Sequence, residues 1–177
     1  HGMPLLVGEF GAQYHGPEDQ VPDRLRSMND QLSVYNQLNL HWTTWTYKDA
    51  GVMGWVTLDS KSEYMQMVKP IQEMKKVLGS ENFTALYQES KGRVRAKELA
   101  DLIADVSQEP YDRRANAFCL NYVALAGFAS AMLQPSYAKR FAQLSEDGID
   151  RVMQSFAFKN CIVNTRYIAL LKQYLQD

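Results

Sequence analysis

The hydrophobic pattern changes period several times along the chain, and each change marks an element. Leu5-Leu6-Val7-Gly8 is apolar or small at successive positions, not alternating ones. That predicts a strand of a parallel sheet, covered on both faces. The run ends on a carboxylate, Glu9. Residues 11–22 carry turn chemistry, with Gly16-Pro17-Glu18-Asp19 and Val21-Pro22-Asp23. Leu25, Met28, Leu32, Tyr35 and Leu38 then recur at steps of three and four, which predicts a helix over 23–38. In Leu-His-Trp-Thr-Thr-Trp-Thr-Tyr, residues 40–47, the Thr and Trp content favours strand. Alternation there places His41, Thr43 and Trp45 on one face and Trp42, Thr44 and Thr46 on the other. Residues 48–57 read as a loop holding Gly51 and Gly54, and a helix is predicted over 62–78. Pro70 is expected to kink or split that helix, and Gly79 to end it.

Residues 4–78 therefore read strand, helix, strand, helix, with connections that fit right-handed crossovers of a parallel sheet. From Ser80 onward no strand signal is visible. Helices are predicted over 93–107, 111–133, 136–145, 147–157 and 161–176, with breaks at Pro110 and Pro135. The expected division is 1–79 and 80–177. Ala117 to Leu133 is apolar except for Asn121, Tyr122 and Ser130, at the short limit for a membrane span. A buried central helix explains it more simply, because helices that are apolar all round belong inside helical cores. A membrane is not an expected partner.

Composition narrows the functional classes. The chain is 46% hydrophobic and 22% charged, with a net charge of −1, which gives no footprint for a nucleic acid. Ten Tyr, seven Phe and three Trp suit carbohydrate binding, though they also suit a core. Cys119 and Cys161 match no zinc or redox spacing, and whether they pair is open. Asn82-Phe83-Thr84 fits a glycosylation acceptor and points towards secretion. His1-Gly2-Met3-Pro4 carries no signal-peptide core.

Glu9 stands where α/β folds place active sites, at the carboxyl end of a parallel strand. Trp45 stands at the equivalent end of the second strand. A carboxylate beside an indole suits a sugar, whose C–H face stacks on the ring while the carboxylate meets hydroxyls and the anomeric carbon. Trp42 is expected to face the helix layer as core. Trp55 either caps a cleft or packs beneath one. His41 lies at the buried beginning of its strand and reads as a satisfied core histidine.

These residues resemble a known family. Pro-Leu-Leu-Val-Gly-Glu-Phe-Gly, residues 4–11, is similar to strand 7 of the family 5 glycoside hydrolases, the cellulase and mannanase group of (β/α)8 barrels. His41 to Trp55 resembles their strand 8 and the loop after it. The resemblance covers residues 4–78. It implies the last two β/α units of a TIM barrel followed by a mostly α-helical extension, so that this chain alone is mainly α. It implies Glu9 as the catalytic nucleophile and Trp45 as the floor of the subsite that holds the sugar to be cleaved. Lys48 and Asp49 fall where some members contact substrate, and Tyr14 and His15 lie in the loop that lines the cleft. The implied chemistry is retaining hydrolysis of a β-linked glucan, mannan or related glycoside, with no cofactor and no metal. The implied setting is extracellular or periplasmic.

One departure is sharp. The family's acid/base glutamate follows an asparagine at the end of strand 4, and no such pair occurs here. Glu98, Asp101 and Asp105 lie among Arg95 and Lys97 and read as a solvated face. Glu146 and Asp147 read as first-turn residues of the next helix. The chain is thus expected to be the C-terminal part of a larger enzyme, with the upstream barrel segment as its partner. A second reading, a non-catalytic helical binding or oligomerisation module, rests on residues 80–177.

Overall fold

The computed structural model describes residues 3–12, 18–49, 53–80, 90–108 and 119–175. The side chains of Asp49, Leu120 and Asn121 are not described. The strands are β1 (Leu6–Phe10), β2 (His41–Thr44), β3 (Lys48–Asp49), β4 (Val56–Leu58) and β5 (Cys161–Val163). The longer helices are α1 (Val21–Gln37), α2 (Glu63–Leu78), α3 (Lys91–Ser107), α4 (Gln134–Phe141), α5 (Glu146–Met153) and α6 (Thr165–Lys172). A π-helix, Cys119–Ala129, runs into one α-helical turn at Ser130–Met132. The chain is mainly helical, as expected. Its two small sheets do not by themselves amount to barrel units.

The chain divides into two compact units, residues 1–62 with 153–177, and residues 63–152. The first unit takes in the end of the chain through β5, which pairs antiparallel with β4 through Val56↔Val163, Thr57↔Ile162 and Leu58↔Cys161. That pairing returns the end of the chain to the first unit. Residues 161–176 were expected to be one helix, and residues 48–57 a loop; strand pairing claims part of each.

In the first unit, β1 and β2 pair in parallel across the α1 connection, as the crossover pattern predicted. α1 ends on Asn39 at φ 50°, where Asn39 N–H bonds the Asn36 carbonyl (3.1 Å) and Leu40 N–H bonds the Tyr35 carbonyl (2.9 Å). That turn delivers the chain into β2. The core is Phe10, Met28, Leu32, Tyr167 and Leu171, contributed by β1, α1 and α6. The Phe10 ring meets Tyr35 edge-on at 4.9 Å and Trp42 edge-on at 5.9 Å. Trp42 is half-buried and donates its indole N–H to Asn36 Oδ1 (2.9 Å), in keeping with the expected core role.

In this chain β1 is covered on one face only. Leu5 is 65% and Leu6 61% exposed, because α1 and α6 cover one face of the two-stranded sheet. His41 is likewise exposed, not a core histidine. It lines a shallow pocket of about 280 Å³ with Asn36, Asn39, Leu40, Tyr174 and Leu175.

The second unit is held by close backbone fits. α2 runs unbroken through Pro70, an exposed position, and stops at Gly79, whose φ is +69°. Gly79 N–H bonds the Lys76 carbonyl (3.2 Å) and Ser80 N–H the Lys75 carbonyl (3.0 Å). This double bond is the usual left-handed helix stop. The start of α3 lies beside Gly79 in space, with the Ser90 hydroxyl accepting from Arg93 N–H at 3.1 Å. A Cβ on Gly92 would lie 2.0 Å from the Leu78 carbonyl oxygen, so the helices meet where only glycine fits. Ser130 Oγ donates to the Ser80 carbonyl (3.1 Å), joining the π-helical segment to the same corner. Glu146 and Asp147 open α5, as expected, with Ser145 Oγ accepting from Gly148 N–H (3.2 Å). Among the described residues no helix is long and apolar enough to cross a membrane.

Candidate functional site

The site is built on β1 and β2. Their register slips between Val7 and Phe10: Val7 pairs Trp42 and Phe10 pairs Thr44, so three steps on β1 answer two on β2. The extra residue is a bulge, which re-aims the side chains around it. Val7 and Phe10 both pack on the core despite their odd spacing. Simple alternation would have set Val7 and Glu9 on one side. Instead the bulge leaves Glu9 off the core face and exposed.

Trp45 follows β2 directly. Its N–H donates to the Phe10 carbonyl (2.8 Å), which fastens it beside the residue after Glu9. The Trp45–Thr46 peptide bond is cis. The indole is 49% exposed. A carboxylate and a flat aromatic face thus occupy adjacent strand ends, both open to solvent. Thr43 Oγ1 donates to the Gly8 carbonyl, fixing the strands to each other just below them.

Trp55 packs beneath this end of the unit and does not stand open over it. Its N–H donates to the Thr46 carbonyl (3.2 Å), its indole N–H to Thr44 Oγ1 (2.8 Å), and its carbonyl accepts from Asn164 N–H (2.8 Å). Its ring meets Tyr167 edge-on at 6.3 Å and Tyr47 edge-on at 6.2 Å. Trp55 is therefore the pin between the segment after β2 and α6.

Lys48 is half-buried. Its ammonium donates to the Phe156 carbonyl and lies 5.6 Å from the Phe156 ring centroid. In this arrangement it serves the packing of residues 154–160. Asp49 lies in β3, and its side chain is not described. Tyr14 and His15 lie outside the described residues, as do the Asn82 acceptor and the first residues of the apolar stretch at 117. Cys119 and Cys161 are both free thiols, and Cys161 Sγ approaches the Ala157 carbonyl at 3.3 Å. Glu98 and Asp101 pair with Arg95 (2.7 Å) and Lys97 (2.6 Å) on an exposed helix face, as read from the sequence. Among the described residues no cluster of three His, Cys, Asp or Glu is placed to hold a metal.

Two exposed aromatic residues had no sequence signal strong enough to nominate them. Tyr47 is 54% and Phe158 is 59% exposed, and their rings lie nearly parallel, 8° apart, with centroids 6.3 Å apart. Phe158 is far away in sequence and reaches Tyr47 only because β5 returns to β4.

No protein-family model matches the sequence, and no solved structure matches it. The chain is 30% identical over 174 residues to a protein named Beta-xylosidase from Phanerodontia chrysosporium. The alignment takes in 91% of this chain and 36% of that protein, so the chain spans little more than a third of its relative's length.

Proposed function

We propose that this chain is part of a glycoside hydrolase that cleaves β-linked pyranosides by a retaining mechanism, with Glu9 as nucleophile and Trp45 as the floor of the sugar subsite. The observation that carries the reading is the paired exposure of Glu9 and Trp45 at adjacent parallel strand ends, fastened by the Trp45 N–H to Phe10 carbonyl bond. The xylosidase relative supports the substrate class, a β-xyloside or a close relative of one. The likeness of residues 4–11 and 41–55 to family 5 strand ends supports the roles of the two residues.

The chemistry follows from two carboxyls about 5 Å apart. Glu9 attacks the anomeric carbon as the glycosidic C–O bond breaks. The leaving oxygen takes its proton from the second carboxyl. Water then attacks the same carbon, giving its proton to that second group, now a base, and Glu9 leaves. In this reading the second carboxyl comes from polypeptide outside residues 1–177. The exposure of Glu9 at the strand end supports this reading, since it leaves the carboxylate open to a sugar ring.

A mechanism-based 2-deoxy-2-fluoro glycoside, applied to the full-length gene product, tests the assignment. Peptide mapping is expected to find the trapped sugar on Glu9. A sugar trapped on another carboxylate would remove Glu9 from the role.

One observation favours the helical-module reading for residues 80–177. On α3, Leu99, Leu102, Ile103 and Val106 are all exposed at spacings of three, four and seven, an open apolar stripe. Sedimentation of the chain against an Ile103→Glu variant tests it. A wild-type dimer that the substitution dissociates is the expected result, and a monomeric wild type counts against it.

A further inference from the structure

We infer that Thr43 is the positioning residue of the candidate nucleophile: its hydroxyl, bonded to the Gly8 carbonyl, holds the bulge that turns Glu9 off the core face. The inference rests on the reading of Glu9 as nucleophile, and it adds a residue from the neighbouring strand.

Two backbone bonds mark the bulge independently of the pairing register. His41 N–H donates to the Leu5 carbonyl (3.2 Å), and Trp45 N–H donates to the Phe10 carbonyl (2.8 Å). Four steps along β2 are thus answered by five along β1. In an unbulged parallel ladder, Trp45 N–H would take the Glu9 carbonyl instead. The pairs Val7↔Trp42 and Phe10↔Thr44 confine the extra residue to Gly8 and Glu9, with one residue of β2, Thr43, facing both. Thr43 Oγ1 donates to the Gly8 carbonyl. That bond falls inside the slipped stretch, on the peptide that joins Gly8 to Glu9. Holding this peptide fixes the base from which the Glu9 side chain leaves.

Glycine does not make this bulge by itself. A bulge glycine often takes left-handed backbone. Gly8 does not: its φ lies outside that region, and a Cβ placed there would meet nothing within 4 Å. Val7 and Phe10 pack on the core and hold the two ends of the bulge, and the Thr43 hydroxyl holds its middle. Thr43 is exposed, as are His41 and Trp45 at the alternate positions of the same segment. Valine would suit such a strand position equally well, so the hydroxyl is what threonine adds. If the slip relaxed to a regular ladder, Glu9 would share the face of Val7 and point at the core.

The test uses the full-length gene product and 2,4-dinitrophenyl 2-deoxy-2-fluoro-β-xyloside, with the matching glucoside alongside it. In the trapping step a Glu9 oxygen bonds C1 while the C1–O bond breaks, its electron pair leaving on dinitrophenolate. That leaving group needs no proton, so the rate reports the attack of Glu9 and not the second carboxyl. Thr43→Val is expected to slow trapping at saturating reagent by about ten- to hundredfold, the scale of a misplacement near 1 Å, with the saturation constant little changed. Thr43→Ser keeps the hydroxyl and is expected to restore the rate. Thr43→Ser against Thr43→Ala repeats the comparison if the valine variant does not fold. If peptide mapping finds the sugar on Glu9 and the variants without the hydroxyl trap it at the wild-type rate, the role of Thr43 is overturned and the nucleophile reading stands. The same holds if Thr43→Ser is as slow as Thr43→Val, since the methyl and not the hydroxyl then matters. If the wild type carries the sugar on another carboxylate, or neither reagent labels it, the nucleophile reading falls and the role of Thr43 with it.

Discussion

The two compact units are built on different economies. The first joins two distant stretches, 1–62 and 153–177, around large buried side chains: Phe10, Met28, Leu32, Tyr167 and Leu171. The second, 63–152, is continuous in sequence, and among the described residues its buried apolar side chains are Val68, Ile71, Ala100, Leu125 and Val152. It keeps its helices together with glycine contacts and caps. All three tryptophans, Trp42, Trp45 and Trp55, lie in the first unit. So do Glu9 and the exposed rings of Tyr47 and Phe158, while Tyr122 and Phe128 are exposed in the second. A catalytic or binding group needs a scaffold fixed to a fraction of an ångström, and the residues proposed for those roles belong to the unit whose core joins distant stretches of the chain.

The largest effect that tests this contrast is chemical. Glu9→Gln in the full-length gene product is expected to lower turnover by about a thousandfold or more, the scale of losing a nucleophile. Thermal unfolding should be unchanged, because Glu9 is exposed and off the core face. Turnover within a few-fold of the wild type would detach the chemistry from the first unit.

The next effect strikes the scaffold. Leu32 is fully buried, and Leu32→Ala removes packing from both α1 and α6, at a cost of about 2–5 kcal/mol. Tryptophan emission reports on the first unit alone, so its urea midpoint is expected to fall. If the fluorescence and helical transitions fall together by the same amount, the two units unfold as one and the contrast between them is lost.

Parts of this arrangement are readable in the sequence, for physical reasons that differ by residue. The β1–α1–β2 crossover is legible because local periodicity sets it. Gly79 as a helix stop is legible because left-handed geometry favours glycine. The nearness of Glu9 to Trp45 is legible as two strand ends, but the face Glu9 occupies is not. The bulge between Val7 and Phe10 breaks the alternation, and a bulge depends on the partner strand. β5 is three residues long, and nothing in Cys161-Ile162-Val163 distinguishes it from a helix start until β4 supplies its hydrogen bonds. Phe158 was hidden for the same reason. His41 was misread because burial at a strand's beginning depends on what covers that face. Tyr14, His15 and the Asp49 side chain fall outside what the structure describes, so their expected roles carry over only from the family likeness.

Smaller again is Gly92→Ala. The added methyl would meet the Leu78 carbonyl oxygen at 2.0 Å, a backbone atom that cannot rotate away, so α2 and α3 must separate. Overpacking of this kind costs about 1–3 kcal/mol. The helical signal at 222 nm should lose stability while tryptophan emission holds its midpoint. A neutral Gly92→Ala would show that the corner of α2 and α3 is looser than its glycine contact implies.

The smallest effect is electrostatic, and it asks whether surface charge holds the second unit at all. Arg151 Nε approaches both oxygens of Glu63, at 3.0 and 3.1 Å, linking the last turn of α5 to the first turn of α2. One N–H is shared between the two oxygens, and each charge also suits its own helix end. Against that, the side chains are 65% and 44% exposed, so water and salt screen the pair. Exposed pairs contribute about 0–1 kcal/mol, and a value near 0.5 is expected here. A double-mutant cycle of Glu63→Gln and Arg151→Gln, read by helical unfolding, should give that coupling at low salt and almost none at about 1 M NaCl, where the Debye length is about 3 Å. A coupling larger than the cost of Gly92→Ala, or one that survives high salt, would reverse the ranking and make α5 an ion-paired clamp on α2.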